Sequence, residues 1–224
     1  MGKINCRGHE NRIELCNHYI IKPEFRIKML KGIVVSDAGG RITDELYIFS
    51  AYDKQTGEFY DKITCGEPTA KDFLLITGDK KPELFNMLKA QKKNLEAKNP
   101  QTIEKTNQSK KKTARNVQVD TDILNWHPVN RALYEALMIL IVVWNDTSGD
   151  SLLFRELKKC TKYPDKYPYS DRLMRLNTML SKDRRKTLAN ILDSLKKSGN
   201  NLKDFDLELL HEAVEKTGVK SNIK

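Results

Sequence analysis

The chain has 224 residues, of which 31% are charged and 39% hydrophobic, and its formal net charge is +10. This composition is typical of a soluble folded protein and excludes wholesale disorder. The longest apolar run, from Ala136 to Trp144, has nine residues and indicates a buried helix, since a membrane span needs about 20. No segment resembles a secretory signal, and four cysteines without one are typical of a reducing compartment, so we expect a cytoplasmic protein.

Residues 12–65 alternate apolar and polar side chains with the period of β-strands. Phe25, Ile27 and Met29 give the clearest alternation, and the residue types at 37–40 and 53–57 are those of tight turns. Strands that follow one another through short turns pair antiparallel. The sequence therefore predicts an antiparallel β-meander.

Two short helices are predicted after the meander, beginning at Pro68 and at Pro82. Proline is favoured at the first helical position, and Gly78 follows the first of these helices where glycine commonly ends one. Periodicity then disappears over residues 91–119, which hold 8 basic and 2 acidic residues and almost no large apolar side chain. Such a segment buries too little surface to offset its ordering entropy, which predicts a flexible basic linker.

The remainder of the chain has helical periodicity. A central helix is predicted from Pro128 to about Trp144, with Asp150 and Ser170 as N-caps of later helices. The predicted fold class is α+β. It comprises an α+β domain over residues 1–90 with a candidate metal site, the linker over 91–119, and an all-α helical domain over 120–224.

Half of the cysteines and half of the histidines lie close together as Cys6, His9, Cys16 and His18. On a strand, Cys16 and His18 would point to the same face. Zinc takes four such ligands, often as two close pairs, and Cys65 could replace one of them. The pattern predicts a zinc site. The alternative is that the cysteines are small buried hydrophobic residues and the histidines lie at the surface.

Basic residues are concentrated in the linker and in residues 155–197, where 13 basic residues accompany 5 acidic ones. Lysine and arginine neutralise phosphates, and tyrosines among them offer faces on which bases stack. The alternative is a set of solvated helix faces with the tyrosines packed beneath a loop. The candidate nucleic-acid contacts are Lys110, Lys111, Lys112, Arg115, Lys158, Lys159, Lys162, Tyr163, Tyr167, Tyr169, Arg172, Arg175, Arg184, Arg185 and Lys186.

These features predict a non-enzymatic module that binds the phosphate backbone of DNA or RNA. One alternative is a protein-interaction adaptor, or a subunit of a larger complex, that docks a partner through an open sheet edge. A second alternative is a metal-dependent nuclease, which needs acidic ligands that converge on one point. Its candidate ligands come from the meander: Asp44, Glu45, Asp53, Glu58 and Asp61.

Overall fold

The computed structural model describes residues 4–30, 34–89, 125–146 and 151–224. These residues form an α+β fold with a strand-rich N-terminal part and a helical C-terminal part, which confirms the predicted class. The division into domains stays a prediction. Several predicted features lie outside the described residues: the linker over 91–119 with Lys110, Lys111, Lys112 and Arg115, and the N-cap Asp150.

The elements of the N-terminal part are, in chain order, α1 (His9–His18), β1 (Tyr19–Lys28), β2 (Val34–Val35), β3 (Arg41–Ile42), β4 (Glu45–Asp53), β5 (Phe59–Gly66), α2 (Glu67–Thr77) and β6 (Leu84–Phe85). The described helices of the C-terminal part are α3 (Pro128–Trp144), α4 (Leu152–Lys162), α5 (Ser170–Lys182), α6 (Leu188–Lys197) and α7 (Glu208–Glu215).

The main sheet has the strand order β5-β4-β1-β6. Strands β1, β4 and β5 pair antiparallel as the predicted meander, while β6 joins the outer edge of β1 in parallel. The central strand β4 is buried over six consecutive residues. Because strand side chains alternate between faces, this burial shows that both faces of the sheet are covered.

Each face of the sheet contributes to a different hydrophobic core. Ile27, Leu46 and Ile48 pack with the C-terminal helices in the larger core, whereas Tyr47 and Phe49 pack with α2 in the smaller one. Helix α3 crosses the larger core and buries nine of its residues, as its apolar sequence predicts. The helical part is therefore packed directly against one face of the sheet.

The meander predicted from residue 12 onward begins only at Tyr19, because residues 9–18 form helix α1. Glutamate, arginine and leucine in this segment are good helix formers. The helix buries no residue completely, and polar contacts fix its position. Arg12 donates to Asp72 of α2 and, at 3.0 Å, to the carbonyl oxygen of Cys6.

Two further local predictions are wrong. The helix expected from Pro82 is replaced by strand β6, since Leu84 and Phe85 pair with β1 and the Phe85 ring packs edge-on against Tyr134. Ser170 is the first residue of α5, and its N-cap is Tyr169, without a side-chain cap bond. The helix from Pro68 is confirmed, with Gly78 as its left-handed C-cap at φ 73°.

Among the helices that the structure describes, none has the length and apolar character needed to cross a bilayer.

Candidate nucleic-acid interface

The predicted contact residues that the structure describes lie on helices α4 and α5, in the loop between them and in the turn after α5. A buried carboxylate on α4 joins the two helices. Ser151 caps the start of α4, where its hydroxyl accepts a hydrogen bond from the Phe154 N–H at 3.2 Å. One turn further on, Glu156 points between the two helices, and its side chain is only 2% exposed. The Nε of Arg172, on α5, donates to Glu156 Oε2 at 3.0 Å. We call Glu156 and the cations around it the Glu156 network.

Three cations converge on this one carboxylate. Lys159 Nζ and Arg175 Nη1 donate to Glu156 Oε1 at 2.9 and 2.7 Å. Burial alone would raise the pKa of Glu156, but the hydrogen bonds from Lys159, Arg172 and Arg175 lower it overall below its usual value. Glu156 therefore stays ionised, and it neutralises part of the charge that the sequence assigned to the surface.

Arg172 itself is buried and fully engaged by the fold. It also donates to the carbonyl oxygen of Glu156 at 2.9 Å and to the Sγ of Cys160 at 2.8 Å. Burial is the first cause that raises the pKa of the Cys160 thiol, to about 11, so this sulfur stays protonated at neutral pH. The geometry assigns Arg172 a structural position inside the helix pair.

Two other predicted contact residues also bind carboxylates of the protein. Lys158 Nζ lies 2.8 Å from Glu24 Oε1 and 2.8 Å from the Tyr52 hydroxyl, which connects α4 to the sheet. Arg185 donates through Nε and Nη2 to the two oxygens of Asp183, at 2.8 and 2.7 Å. These two cations serve internal contacts.

The exposed cations of the two helices form a surface that includes Lys159 and Arg175 of the Glu156 network. Arg155, Lys159 and Lys162 recur at i, i+4 and i+7 on α4, and so share one face of that helix. We define the α4–α5 face by its exposed charged residues, which are Arg155, Lys159, Lys162, Asp171, Arg175 and Lys182. Five cations thus accompany Asp171 and the buried Glu156, and Arg155, Lys162 and Lys182 form no ion pair with any described residue.

The loop that joins the two helices, residues 163–169, displays three tyrosines and is here called the tyrosine loop. Tyr163, Tyr167 and Tyr169 are 49%, 47% and 80% exposed. None of the three rings is buried beneath the loop, although about half of Tyr163 and of Tyr167 is covered. Lys162 Nζ lies 5.3 Å from the centre of the Tyr163 ring, so a cation from the α4–α5 face borders the exposed aromatic surface.

The backbone of the tyrosine loop is held firmly by helix α3. The buried Asn130 donates through Nδ2 to the carbonyl oxygens of Cys160, Tyr163 and Pro164, at 3.1, 3.0 and 3.2 Å. The His127 N–H donates to the Pro164 carbonyl at 2.8 Å, and the His127 ring packs edge-on against Tyr167 at 5.2 Å. The anchored backbone thus presents rings that remain open to solvent.

A second aromatic position lies at the other end of α5, which is about 20 Å long. Trp144, Lys182 and Arg184 line a shallow cleft of about 460 Å³. The indole Nε1 of Trp144 donates to Asp183 Oδ2 at 2.6 Å, which fixes the ring beside the basic turn. Arg184 and Lys186 of this turn are exposed. Sequence reasoning missed Trp144, because its apolar helix gives no sign that the ring reaches the surface.

The cysteines and histidines of the zinc hypothesis are spread over two environments. Cys6 and Cys65 are buried in the smaller core, where burial raises the pKa of Cys65. Cys16 and His18 lie on α1, so the shared strand face assumed for them is wrong. His9 Nδ1 lies 2.9 Å from both oxygens of Asp72.

Within the described residues, no group of three or more His, Cys, Asp or Glu side chains is arranged to hold a metal ion. The zinc site stays a prediction.

The carboxylates of the nuclease hypothesis contact separate partners. Asp44 pairs with Lys28, and Glu45 accepts two hydrogen bonds from Arg26, at 2.7 and 3.0 Å. Asp53 caps its own turn by accepting the backbone N–H groups of residues 55 and 56. Glu58 is exposed in the same turn and Asp61 accepts the N–H of the next residue. The described part of the chain does not bring these five carboxylates together.

The chain matches, over residues 4–220, the model of the family described as Uncharacterised conserved protein UCP028583. Because this match covers nearly the whole chain, the protein belongs to that family. Searches among curated proteins and among solved structures give no significant match.

Proposed function

We propose that this protein binds single-stranded nucleic acid, without catalysing a reaction on it, through the tyrosine loop and the α4–α5 face. The observation that carries the proposal is the three exposed tyrosines on an anchored loop, next to a face in which cations outnumber carboxylates. Three exposed aromatic side chains in one short loop form the kind of surface patch that marks an interaction site.

Stacking explains why a single strand fits this surface better than a duplex. The bases of a single strand are accessible, and each can stack on an aromatic ring with little dependence on sequence. The hydrogen bonds from Asn130 order the loop before binding, which reduces the entropy that association costs. Arg155, Lys162 and Lys182 would then contact the phosphates.

The basic turn at 182–186 extends the proposed surface. Trp144 provides one more aromatic side chain, with Lys182 and Arg184 beside it. A strand that follows α5 from the tyrosine loop to this cleft would contact cations along about 20 Å. We place this binding in the cytoplasm, which is supported by the four cysteines, all of which are thiols.

The test is fluorescence anisotropy of labelled single-stranded and duplex oligonucleotides, both DNA and RNA, at low and physiological salt. Replacement of Tyr163, Tyr167 and Tyr169 by alanine should weaken single-strand binding by at least about tenfold, since each stacked base contributes about 1–3 kcal/mol. Leu75→Ala is the matched control, because Leu75 on α2 is 80% exposed, as is Tyr169. Absence of binding at low salt, or unchanged affinity in the triple variant, would contradict the proposal.

A further inference from the structure

A separate cleft of about 340 Å³ lies between strand β6, helix α3 and residues 203–205. Four aromatic and five charged side chains are among its lining residues. Tyr134 packs edge-on against Phe85, with ring centres 6.3 Å apart, and against Trp126 at 5.1 Å. Phe205 also lines the cleft. No residue of the tyrosine loop or of the α4–α5 face takes part in it.

The backbone around this cleft forms an interrupted ladder. Just after β6, Leu88 bridges Leu202 in antiparallel fashion, with Lys89 N–H donating to the Asn201 carbonyl at 2.8 Å and Lys203 N–H to the Met87 carbonyl at 2.7 Å. The pairing stops there, and the two segments separate around the cleft. Since β6 ends the sheet order, its outer edge pairs with no other described strand. An extended chain can add to such an edge.

The charge of the cleft contrasts with that of the chain. Its lining includes Glu83, Glu135 and Asp204, with Arg131 and Lys203, so carboxylates outnumber cations by one in the lining of a protein of net charge +10. Asp204 also pairs with Lys89, at 3.0 Å. Arg131 lies 3.4 Å from Glu135. Burial first, and then the carboxylate of Glu83, raise the pKa of Tyr134. Aromatic faces together with carboxylates favour an organic cation.

We propose that this cleft binds an extended peptide segment of a protein partner. The segment adds to the outer edge of β6 and places a lysine or arginine side chain among the rings of Phe85, Trp126 and Phe205. Its backbone continues the ladder where the pairing of residues 87–89 with 201–203 stops. The carboxylates select the cation, and the proposal is independent of nucleic-acid binding.

The probe is a short capped peptide of alternating valine and lysine, titrated by calorimetry against the full chain. Two comparison peptides test the two parts of the geometry. In the first, glutamate replaces lysine. In the second, the backbone nitrogens along one edge of the peptide are methylated, so they cannot donate hydrogen bonds to β6. The lysine peptide should bind at least about tenfold more tightly than either comparison peptide, because it alone has both the charge and the hydrogen bonds.

Variants locate the binding in the cleft. Glu83→Gln combined with Glu135→Gln should reduce lysine-peptide affinity at least about fivefold, while Glu212→Gln, an exposed change on α7, should leave it unchanged. Thermal unfolding of each variant verifies the fold, and the emission of Trp126 in a Trp144→Phe background should shift on binding. No heat of binding at millimolar lysine peptide, equal affinity for the glutamate peptide, or equal affinity for the methylated peptide would each overturn the proposal.

Discussion

The Glu156 network and the tyrosine loop belong to the same pair of helices and use their residues in opposite ways. In the network, Arg172 is 7% exposed and binds a buried carboxylate, a carbonyl and a thiol. In the loop, the backbone is fixed by Asn130 while the side chains of Tyr163 and Tyr169 remain in solvent. The side chains of the Glu156 network stabilise the fold. In the tyrosine loop the backbone is anchored, and the side chains remain exposed for contact with a ligand.

This difference shows that a basic stretch of sequence can serve two purposes at once. What decides the role of each cation is whether a carboxylate lies within reach. Lys158 reaches Glu24 and Arg185 reaches Asp183, whereas Lys162 and Arg184 form no ion pair with a described residue. The following changes test the division, beginning with the network.

Glu156→Ala should have the largest effect, because it leaves Arg172 buried without its partner. Breaking a buried ion pair in this way costs about 3–5 kcal/mol of the free energy of unfolding. Denaturant titration followed by circular dichroism measures the loss. Asp171→Ala is the control, since Asp171 pairs with Arg175 at the surface and should cost less than about 1 kcal/mol. Equal losses of unfolding free energy in the two variants would show that the buried Glu156 stabilises the fold no more than a surface carboxylate does.

Asn130→Ala should loosen the tyrosine loop from beneath. The hydrogen bonds from Asn130 Nδ2 to three carbonyl oxygens are lost, while Pro164 keeps its bond from the His127 N–H, and we expect a cost of about 2 kcal/mol of stability. Hydrogen exchange should accelerate over residues 163–167, and single-strand affinity should fall although Asn130 is buried and touches no ligand. Asn190→Ala provides the comparison, because the exposed Asn190 donates only to the Arg185 carbonyl. Unchanged exchange in the loop would show that Asn130 does not order it.

Asp183 should give the structure a dependence on acid pH. Hydrogen bonds from the Arg185 side chain first, and then from the Arg185 N–H and the Trp144 indole, hold the pKa of Asp183 well below its usual range, despite the opposing effect of burial. A lowered carboxyl pKa stabilises the fold above about pH 4, and this stability is lost as the pH falls through the folded-state value. Asp183→Asn should therefore cost about 1.5 kcal/mol at pH 7 and make acid unfolding less steep. A variant with the wild-type acid profile would contradict this role.

The neighbours Arg184 and Arg185 give the smallest and sharpest comparison. Arg184→Gln should change stability by less than about 0.5 kcal/mol and lower nucleic-acid affinity, because Arg184 is exposed. Arg185→Gln should lower stability and leave the number of phosphate contacts unchanged, because Arg185 is bound to Asp183. Thermal melts and anisotropy on both variants separate the two effects. A loss of stability in Arg184→Gln together with a loss of affinity only in Arg185→Gln would contradict these roles.

The sequence predicted correctly those helices that are determined by residues within the helix itself or next to it. The Pro68 and Gly78 pair gave helix α2, and the apolar run before Trp144 gave α3. Helix α1 and strand β6 were mispredicted because contacts far along the chain decide them. Asp72 holds α1, and pairing with β1 together with Tyr134 decides β6.

The candidate site divides in the same way. The sequence predicted that basic residues and tyrosines lie together over 155–197, and the structure distributes them over helices α4, α5 and α6 and the loops that connect them. It could not show that Arg172 points inward, because the carboxylate that binds it lies 16 positions earlier. The cleft beside β6 was also beyond prediction, since Phe85, Trp126 and Phe205 come from three separate parts of the chain.

The measurement that tests the central claim most directly is the salt dependence of single-strand affinity in two variants of α4, Lys162→Gln and Lys158→Gln. Both remove one lysine charge, but Lys158 is bound to Glu24 and Tyr52 whereas Lys162 borders the tyrosine loop. The slope of log K against log salt should become shallower by about 0.7 for Lys162→Gln and stay at the wild-type value for Lys158→Gln. Equal slopes in all three proteins, or a change only in Lys158→Gln, would contradict the division between inward and outward cations.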